Sequence, residues 1–152
     1  MPGKIIVAGL LLALLHSGLA VQALAAPGTK PVYGPYPATV VRVIDGDTVE
    51  LDVALWPGLV QRIRLRLDGV NTPEKRGKNV TPCEKAAAAK ASAFTARFLK
   101  TTRQVVVSQV RLGKYAGRVL GRITANGHDL ARALVEAGLA RPYAGGKRQA
   151  WC

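Results

Sequence analysis

The chain is poor in histidine, cysteine and acidic residues. It has two histidines, two cysteines and nine acidic residues among 152 residues. His16 lies in an N-terminal segment expected to be removed, which leaves His128 alone. A single histidine excludes the paired-histidine phosphodiesterases and counts against a Ser-His-Asp hydrolase. Two cysteines and one histidine also make a poor zinc site.

The first 25 residues are predicted to be a secretory signal peptide. Lys4 supplies the charged start, residues 5–15 are apolar, and Ala23-Leu24-Ala25 is a small-x-small cleavage site. The alternative is a retained anchor, but the apolar run is short for a membrane span. We therefore expect a secreted or periplasmic protein without membrane attachment after processing.

The two cysteines are Cys83 and Cys152. In an oxidising compartment an even number of cysteines favours a disulfide over free thiols. The alternative is one buried thiol and one thiol at a frayed terminus.

Basic residues greatly outnumber acidic ones. The sequence has 22 Lys and Arg, nine Asp and Glu, and a formal net charge of +13. Such a balance predicts attraction to polyanions, with nucleic acid first and anionic lipid or cell-wall polymer second. The alternative is an exported, soluble basic protein that has no specific partner.

The order of patterns along the chain predicts one domain. We expect an extended lead-in at 26–38, a domain at 39–143 and a polar tail at 144–152. Strand patterns lie at 39–44, 48–53, 61–68, 104–110 and 119–125. Helix patterns follow the third strand, after the capping-box segment Thr81-Pro82-Cys83-Glu84, and the fifth strand, at 129–137. This order predicts a mainly β protein with helices (α+β), an OB-fold five-stranded barrel with two or three helices.

The first helix pattern also predicts which side of the helix is buried. The face expected to contact the barrel carries Ala87, Ala91, Phe94 and Phe98.

Four of the nine acids lack an obvious structural role: Asp45, Asp47, Asp68 and Glu74. Taken alone, Asp45-Gly46-Asp47 indicates a turn, and Asn71-Thr72-Pro73-Glu74 indicates a strand exit. Both segments flank predicted buried strands of a basic exported chain, which favours a functional site.

Five segments, in this order, resemble the staphylococcal nuclease-like (thermonuclease) family. They are Ile44-Asp45-Gly46-Asp47-Thr48-Val49; Arg66 with Thr72-Pro73-Glu74; Ala91-Ser92-Ala93-Phe94-Thr95; Lys114-Tyr115 with Gly117-Arg118; and Ala133-Leu134-Val135 with Gly138-Leu139-Ala140. The resemblance covers about Thr39 to Tyr143. It implies an OB-fold barrel that binds one Ca²⁺ and cleaves DNA and RNA to 3′-phosphate products.

The resemblance also implies a metal site. Asp47 matches the principal metal-binding aspartate, and Thr72 matches the residue whose carbonyl completes the site. Asn71 stands where the family usually has a second aspartate. An amide oxygen still suits Ca²⁺, but the site loses one negative charge.

The remaining implied roles concern substrate. Glu74 matches the glutamate proposed to orient or deprotonate the attacking water, and Arg66 and Arg118 match the arginines that grip the scissile phosphate. The resemblance further implies substrate contacts from a loop and a tail residue, namely Lys114, Tyr115 and Tyr143. That loop departs from the family pattern, with Gly113 where an acid is common and Ala116 as an apparent insertion.

The sequence thus leads us to expect an exported, sugar-nonspecific, Ca²⁺-dependent nuclease. We expect a monomer that prefers single-stranded or frayed DNA and RNA. One alternative is a catalytically weakened OB-fold module that binds nucleic acid, which Asn71 makes conceivable. The other is a basic envelope or structural protein that retains the motifs without their function.

Overall fold

The computed structural model describes residues 31–102, 104–114 and 118–152. The predicted signal peptide at 1–25, the early lead-in and Tyr115 fall outside these ranges. The elements in chain order are β1 (Tyr36–Val43), β2 (Thr48–Trp56), β3 (Leu59–Leu67), β4 (Val70–Asn71), α1 (Pro82–Lys100), β5 (Val105–Leu112), β6 (Val119–Ala125), β7 (His128–Asp129), α2 (Leu130–Glu136) and β8 (Arg141–Pro142). None of the helices within the described ranges is long and apolar enough to cross a membrane.

The long strands close into a barrel. Their order is β3-β2-β1-β5-β6, and the short strand β7 pairs with β6. β3 also pairs with β6 in parallel, which joins the two ends of the five-stranded sheet. β4 and β8 pair separately as a short two-stranded sheet. The five-stranded barrel with two helices confirms the predicted OB-like α+β fold.

Alternation along β2 and β3 builds the barrel core. Val49 and Leu51 on β2 and Leu65 and Leu67 on β3 are fully buried. The side chains between them point outward, as the two-residue period of a strand requires. Glu50 therefore meets Arg42 and Arg64 from neighbouring strands, and their hydrogen bonds lower the pKa of Glu50 to about 2. Much of the outer basic charge of this sheet is thus balanced locally.

The strands begin and end differently from the sequence prediction. β1 starts at Tyr36 rather than Thr39, and Tyr33 already bridges to Val110. The end of the predicted lead-in at 26–38 is therefore part of the sheet. The reason is that residues 36–38 pair with β5, a partner distant in sequence that the local pattern does not reveal.

Helix α1 begins where the capping signal predicts. The Thr81 side chain accepts a hydrogen bond from the Glu84 backbone N–H at 3.2 Å. The predicted buried face is shifted: the buried residues are Ala88, Ala91, Thr95 and Leu99. Phe94 and Phe98 pack against the core only partly buried. The shift places the polar Thr95 inside, where it has a bonding partner described below.

The tail at 144–152 is held without forming a helix or strand. Cys152 is bonded to Cys83 in the first turn of α1, so the predicted disulfide is present. Arg141 donates from Nη1 to the Ala150 carbonyl at 2.9 Å, and its guanidinium carbon lies 4.2 Å from the centre of the Trp151 ring. The last residues are therefore fixed against the domain.

Removing the disulfide is expected to lower stability substantially. It closes a loop with a sequence separation of 69 residues, which is worth about 4 kcal/mol in the chain-entropy model. A Cys83→Ser, Cys152→Ser variant should therefore melt well below the parent protein. The intact mass of the protein should also be about two daltons below that of the dithiol form. An unchanged mass and melting temperature on adding reductant would show that the bridge is absent in solution.

Candidate functional site

The tight turn between β1 and β2 places Asp47 in the interior. Asp47 is 6 % exposed. Its Oδ2 lies 2.9 Å from Arg66 Nη2 and accepts a hydrogen bond from the Thr72 N–H at 3.1 Å. Its Oδ1 accepts from the Thr48 hydroxyl at 3.1 Å. The carboxylate is therefore held rigidly between β2, β3 and the strand exit after β4.

Burial raises the pKa of Asp47 above its ordinary value, because desolvation disfavours the charged form. The positive charge of Arg66 opposes this effect, while the nearby Asp45 adds to it. The hydrogen bonds from Thr72 and Thr48 also favour the carboxylate. The site is thus a buried anion that depends on a cationic partner.

Arg66, at the end of β3, joins Asp47 to the following turn. Its Nη1 donates to the carbonyls of Leu67 and Val70 at 3.2 and 3.1 Å. Its Nη2 donates to Asn71 Oδ1 at 3.2 Å, in addition to contacting Asp47. Asn71 is 5 % exposed, so its side chain does not face solvent. The oxygens of Asp47 and Asn71 therefore converge on one positively charged nitrogen.

Glu74 lies just past the same strand exit. Its backbone N–H donates to Glu84 Oε1 at 3.1 Å. Its own Oε1 accepts a hydrogen bond from Nη1 of Arg148 in the tail. The side chain of Glu74 remains 36 % exposed, so solvent can reach it.

Asp47, Arg66 and Glu74 line one cavity, whereas Asn71 and Thr72 are not among its described lining residues, and a larger groove shares part of this lining. The carboxylate cavity, of about 370 Å³, is lined by Ile44, Asp45, Asp47, Thr48, Arg64, Arg66, Glu74, Arg118 and Arg148. The basic groove, of about 1180 Å³, is lined by Arg66, Asp68, Gly69, Arg111, Gly113, Lys114, Arg118, Leu120, Pro142, Tyr143, Ala144, Gly145, Gly146 and Arg148. Three arginines, Arg66, Arg118 and Arg148, belong to both.

The predicted substrate residues fall on the basic groove where the structure describes them. Lys114 and Tyr143 line it, and Tyr115 lies outside the described residues. The Arg66 guanidinium carbon is 5.9 Å from the centre of the Tyr143 ring, within the range of a cation–π contact. Asp68, left unassigned by the sequence, forms an ion pair with Arg111 at 2.9 Å and is therefore accounted for structurally.

The turn that carries Asp47 is supported from α1. The hydroxyl of Thr95, which is fully buried, donates to the Gly46 carbonyl at 2.7 Å. A Cβ at Gly46 would lie 2.8 Å from the Cβ of Ala91 and 2.9 Å from the Thr72 hydroxyl oxygen. The close approach of α1 and of the strand exit therefore requires glycine at position 46. The segment 91–95, one of the five that resemble the family, helps to position the turn that carries Asp47.

Sequence reasoning missed two further residues of the site. Glu84 was assigned to helix capping, and its carboxylate holds the Glu74 backbone. Arg148 lies in the predicted polar tail, and it contacts the Glu74 carboxylate. The signal that could have indicated Arg148 is the disulfide itself, because a bridge from Cys152 to Cys83 returns the tail to the helix that follows Glu74.

The fold and the site together define an OB-like barrel protein with a buried carboxylate and several arginines at a basic groove. A sequence model described as Staphylococcal nuclease homologue matches residues 64–150, more than half of the chain. The chain belongs to the staphylococcal nuclease homologue family. This relationship supports a nuclease-type hydrolase domain and a nucleic-acid substrate.

Proposed function

We propose that the protein is an exported nuclease that uses Ca²⁺ to hydrolyse phosphodiester bonds of DNA and RNA, leaving 3′-phosphate products. The observation that carries the proposal is the arrangement around the carboxylate cavity. Asp47, Glu74, Arg66 and Arg118 all line it, and it opens onto the basic groove. Carboxylates and guanidinium groups at one opening suit a reaction that activates water beside a phosphate.

Two oxygens that contact Arg66 are of the kind that suits a hard cation. Oδ2 of Asp47 and Oδ1 of Asn71 lie 2.9 and 3.2 Å from the same nitrogen of Arg66, so a cation that contacts both would take the place of that nitrogen. Ca²⁺ takes carboxylate, amide and carbonyl oxygens, which are the groups that Asp47, Asn71 and Thr72 offer. Within residues 31–102, 104–114 and 118–152, no three His, Cys, Asp or Glu side chains form a metal-binding group. We assign Ca²⁺ to Asp47, Asn71 and the Thr72 carbonyl, a ligand set with one negative charge, and we expect a modest affinity.

A bound Ca²⁺ supplies positive charge that neutralises the scissile phosphate. Glu74 orients a water molecule and accepts its proton as the water oxygen attacks phosphorus. Arg66 and Arg118 donate to the phosphate oxygens, which gain negative charge in the transition state. The bond from phosphorus to the 5′-oxygen breaks, so the phosphate stays on the 3′-oxygen, and the 5′-oxygen takes a proton from solvent to leave as a 5′-hydroxyl.

The basic groove supports a preference for single strands. Tyr143 lines it, and an aromatic ring can stack on a base of either sugar type when that base is unpaired. Lys114 adds positive charge for the nucleic-acid backbone. These contacts recognise phosphate and base faces, so the same groove accepts DNA and RNA. We propose a monomer as the active form.

The proposal that the protein is exported rests on the predicted signal peptide. The disulfide between Cys83 and Cys152 supports it, because disulfides persist in oxidising compartments such as the periplasm and the medium. We therefore propose a secreted or periplasmic location.

The second candidate is a nucleic-acid-binding module without catalysis. Asn71 in place of an acid favours it, since the cation would be held with one negative charge fewer. The retention of Arg66, Glu74 and Arg118 around one cavity favours the enzyme.

A cleavage assay separates the two candidates. The purified mature protein is incubated with single-stranded DNA in Ca²⁺ and in a chelator, and the DNA is followed on a gel. The enzyme degrades DNA in Ca²⁺ alone. A binding module leaves the DNA intact but retards it in both conditions.

Asn71→Asp is expected to tighten Ca²⁺ binding, because it adds a negative charge directly to the proposed ligand set. The Ca²⁺ concentration that gives half-maximal activity should fall by about tenfold, while the maximal rate need not rise. A calcium titration of activity measures the effect. Asn126→Asp, in the exposed turn after β6, adds the same charge away from the site and should leave the titration unchanged. Superimposable curves for all three proteins would remove Asn71 from the ligand set.

A further inference from the structure

Arg148 lines the same cavity and the same groove as the two arginines that the family resemblance identifies. Arg66, Arg118 and Arg148 all line both the carboxylate cavity and the basic groove. The first two belong to the barrel, whereas Arg148 comes from the tail after β8. A polynucleotide that lies in the groove with one phosphate at the cavity must pass all three guanidinium groups.

The tail is anchored on both sides of Arg148. Before it, the Tyr143 hydroxyl donates to the Gly146 carbonyl at 2.7 Å. After it, Arg141 holds the Ala150 carbonyl and stacks on Trp151. The disulfide of Cys152 to Cys83 then fixes the end of the chain. Arg148 therefore lies at the site on a restrained segment, so less conformational entropy is lost when it binds a ligand.

The ion pair with Glu74 shows that the Arg148 guanidinium reaches an anion at the proposed point of water attack. The two side chains are 41 % and 36 % exposed, and exposed ion pairs are weak. A guanidinium has five N–H donors, so the contact through Nη1 leaves donors for a second anion. A phosphate oxygen beside Glu74 would meet a preplaced donor.

We infer that Arg148 is a substrate-binding residue, the third guanidinium of the site, and that the Cys83–Cys152 disulfide holds it in place. Its ligand is a phosphate of the nucleic-acid strand in the basic groove. This inference rests on the proposed nuclease function and adds the tail to the substrate site.

The test compares Arg148→Ala with Lys147→Ala. Lys147 is the exposed neighbour of Arg148 in the same tail, so both variants lose one positive charge from one segment. Arg148→Ala should raise KM for a single-stranded oligonucleotide by about tenfold, the usual effect of losing one charge-assisted hydrogen bond. Lys147→Ala should change KM by less than about twofold. Arg148→Lys keeps the charge but loses the planar fork and should recover part of the loss.

The role of the disulfide is tested by combining variants. Cys83→Ser, Cys152→Ser should raise KM at a temperature well below its melting point. Adding Arg148→Ala to that variant should cause little further change, because the released tail no longer presents Arg148. Additive effects would show that Arg148 acts without the disulfide and would overturn that half of the inference.

Two results would overturn the role of Arg148. Higher activity of Arg148→Ala than of the parent protein would mean that the tail blocks Glu74. Equal KM values for Arg148→Ala and Lys147→Ala would mean that Arg148 contacts no substrate.

Oligonucleotide affinity in chelator, measured by fluorescence anisotropy, provides a readout that needs no cleavage. If the parent protein cuts nothing, the proposed nuclease function fails. A tenfold weaker affinity of Arg148→Ala than of Lys147→Ala would then still support the phosphate contact, and equal affinities would refute it.

Discussion

Glu74→Gln is expected to lower turnover by about a hundredfold, the usual contribution of a positioned general base. Glutamine keeps the size of the side chain and an oxygen that can accept from Arg148, so the tail should stay in place. It cannot take a proton from water at neutral pH. Affinity for single-stranded DNA should therefore change little, and steady-state kinetics should show the loss of activity as a lower kcat.

The matched control for this variant is Glu136→Gln. Glu136 forms an exposed ion pair with Arg132 on α2, so the substitution makes the same chemical change on another surface. It should retain full activity. Full activity in Glu74→Gln as well would remove Glu74 from the reaction and leave the water to be activated by another group.

Arg66→Lys is expected to lower kcat by about a hundredfold, in the range found for removal of one donor to a developing oxyanion. Lysine keeps the positive charge near Asp47 but loses the planar guanidinium, whose several N–H groups let one side chain hold its neighbours and donate to phosphate. Affinity for DNA should fall by less than about tenfold, because charge dominates backbone binding. Stopped-flow or single-turnover kinetics with a binding measurement separate the two quantities.

Arg132→Lys serves as the control for Arg66→Lys, since Arg132 is exposed on α2. A melting curve must accompany the Arg66 variant, because Arg66 also holds the carbonyls of Leu67 and Val70. If kcat and affinity fall by the same factor in a folded protein, Arg66 is an ordinary electrostatic contact rather than a transition-state donor.

The barrel was predictable because its main signals are local. The strand patterns at 48–53 and 61–68 and the capping segment before α1 each depend on a few neighbouring residues. β2 and β3 run further than predicted, to Trp56 and from Leu59. Their ends carry exposed apolar residues, which do not follow the alternation that indicates a half-buried strand.

The positions that sequence reasoning missed depend on contacts between distant segments. Thr95 is buried because its hydroxyl reaches the Gly46 carbonyl, 49 residues away. Thr95 therefore lies on the buried face of α1, which differs from the face predicted from apolar spacing. Arg148 meets Glu74 across 74 residues. A local sequence pattern indicates neither the contact of Thr95 with Gly46 nor that of Arg148 with Glu74.

One departure from the family pattern has a steric explanation. Gly113 stands where the family commonly has an acid, and its N–H donates to the Arg118 carbonyl at 2.8 Å. A Cβ at Gly113 would lie 3.2 Å from that oxygen, which is tight. The glycine therefore allows the two ends of the 113–118 loop to approach closely and helps to place Arg118.

The most direct test of the account is the chemistry of the products made in isotopically labelled water. A single-stranded DNA oligonucleotide is incubated with the protein and Ca²⁺ in H₂¹⁸O, and the fragments are analysed by mass spectrometry. The account predicts fragments that end in a 3′-phosphate carrying one ¹⁸O, with 5′-hydroxyl partners, and none of these in chelator or with Glu74→Gln at matched times. Intact DNA in Ca²⁺, or fragments with 3′-hydroxyl ends, would contradict it.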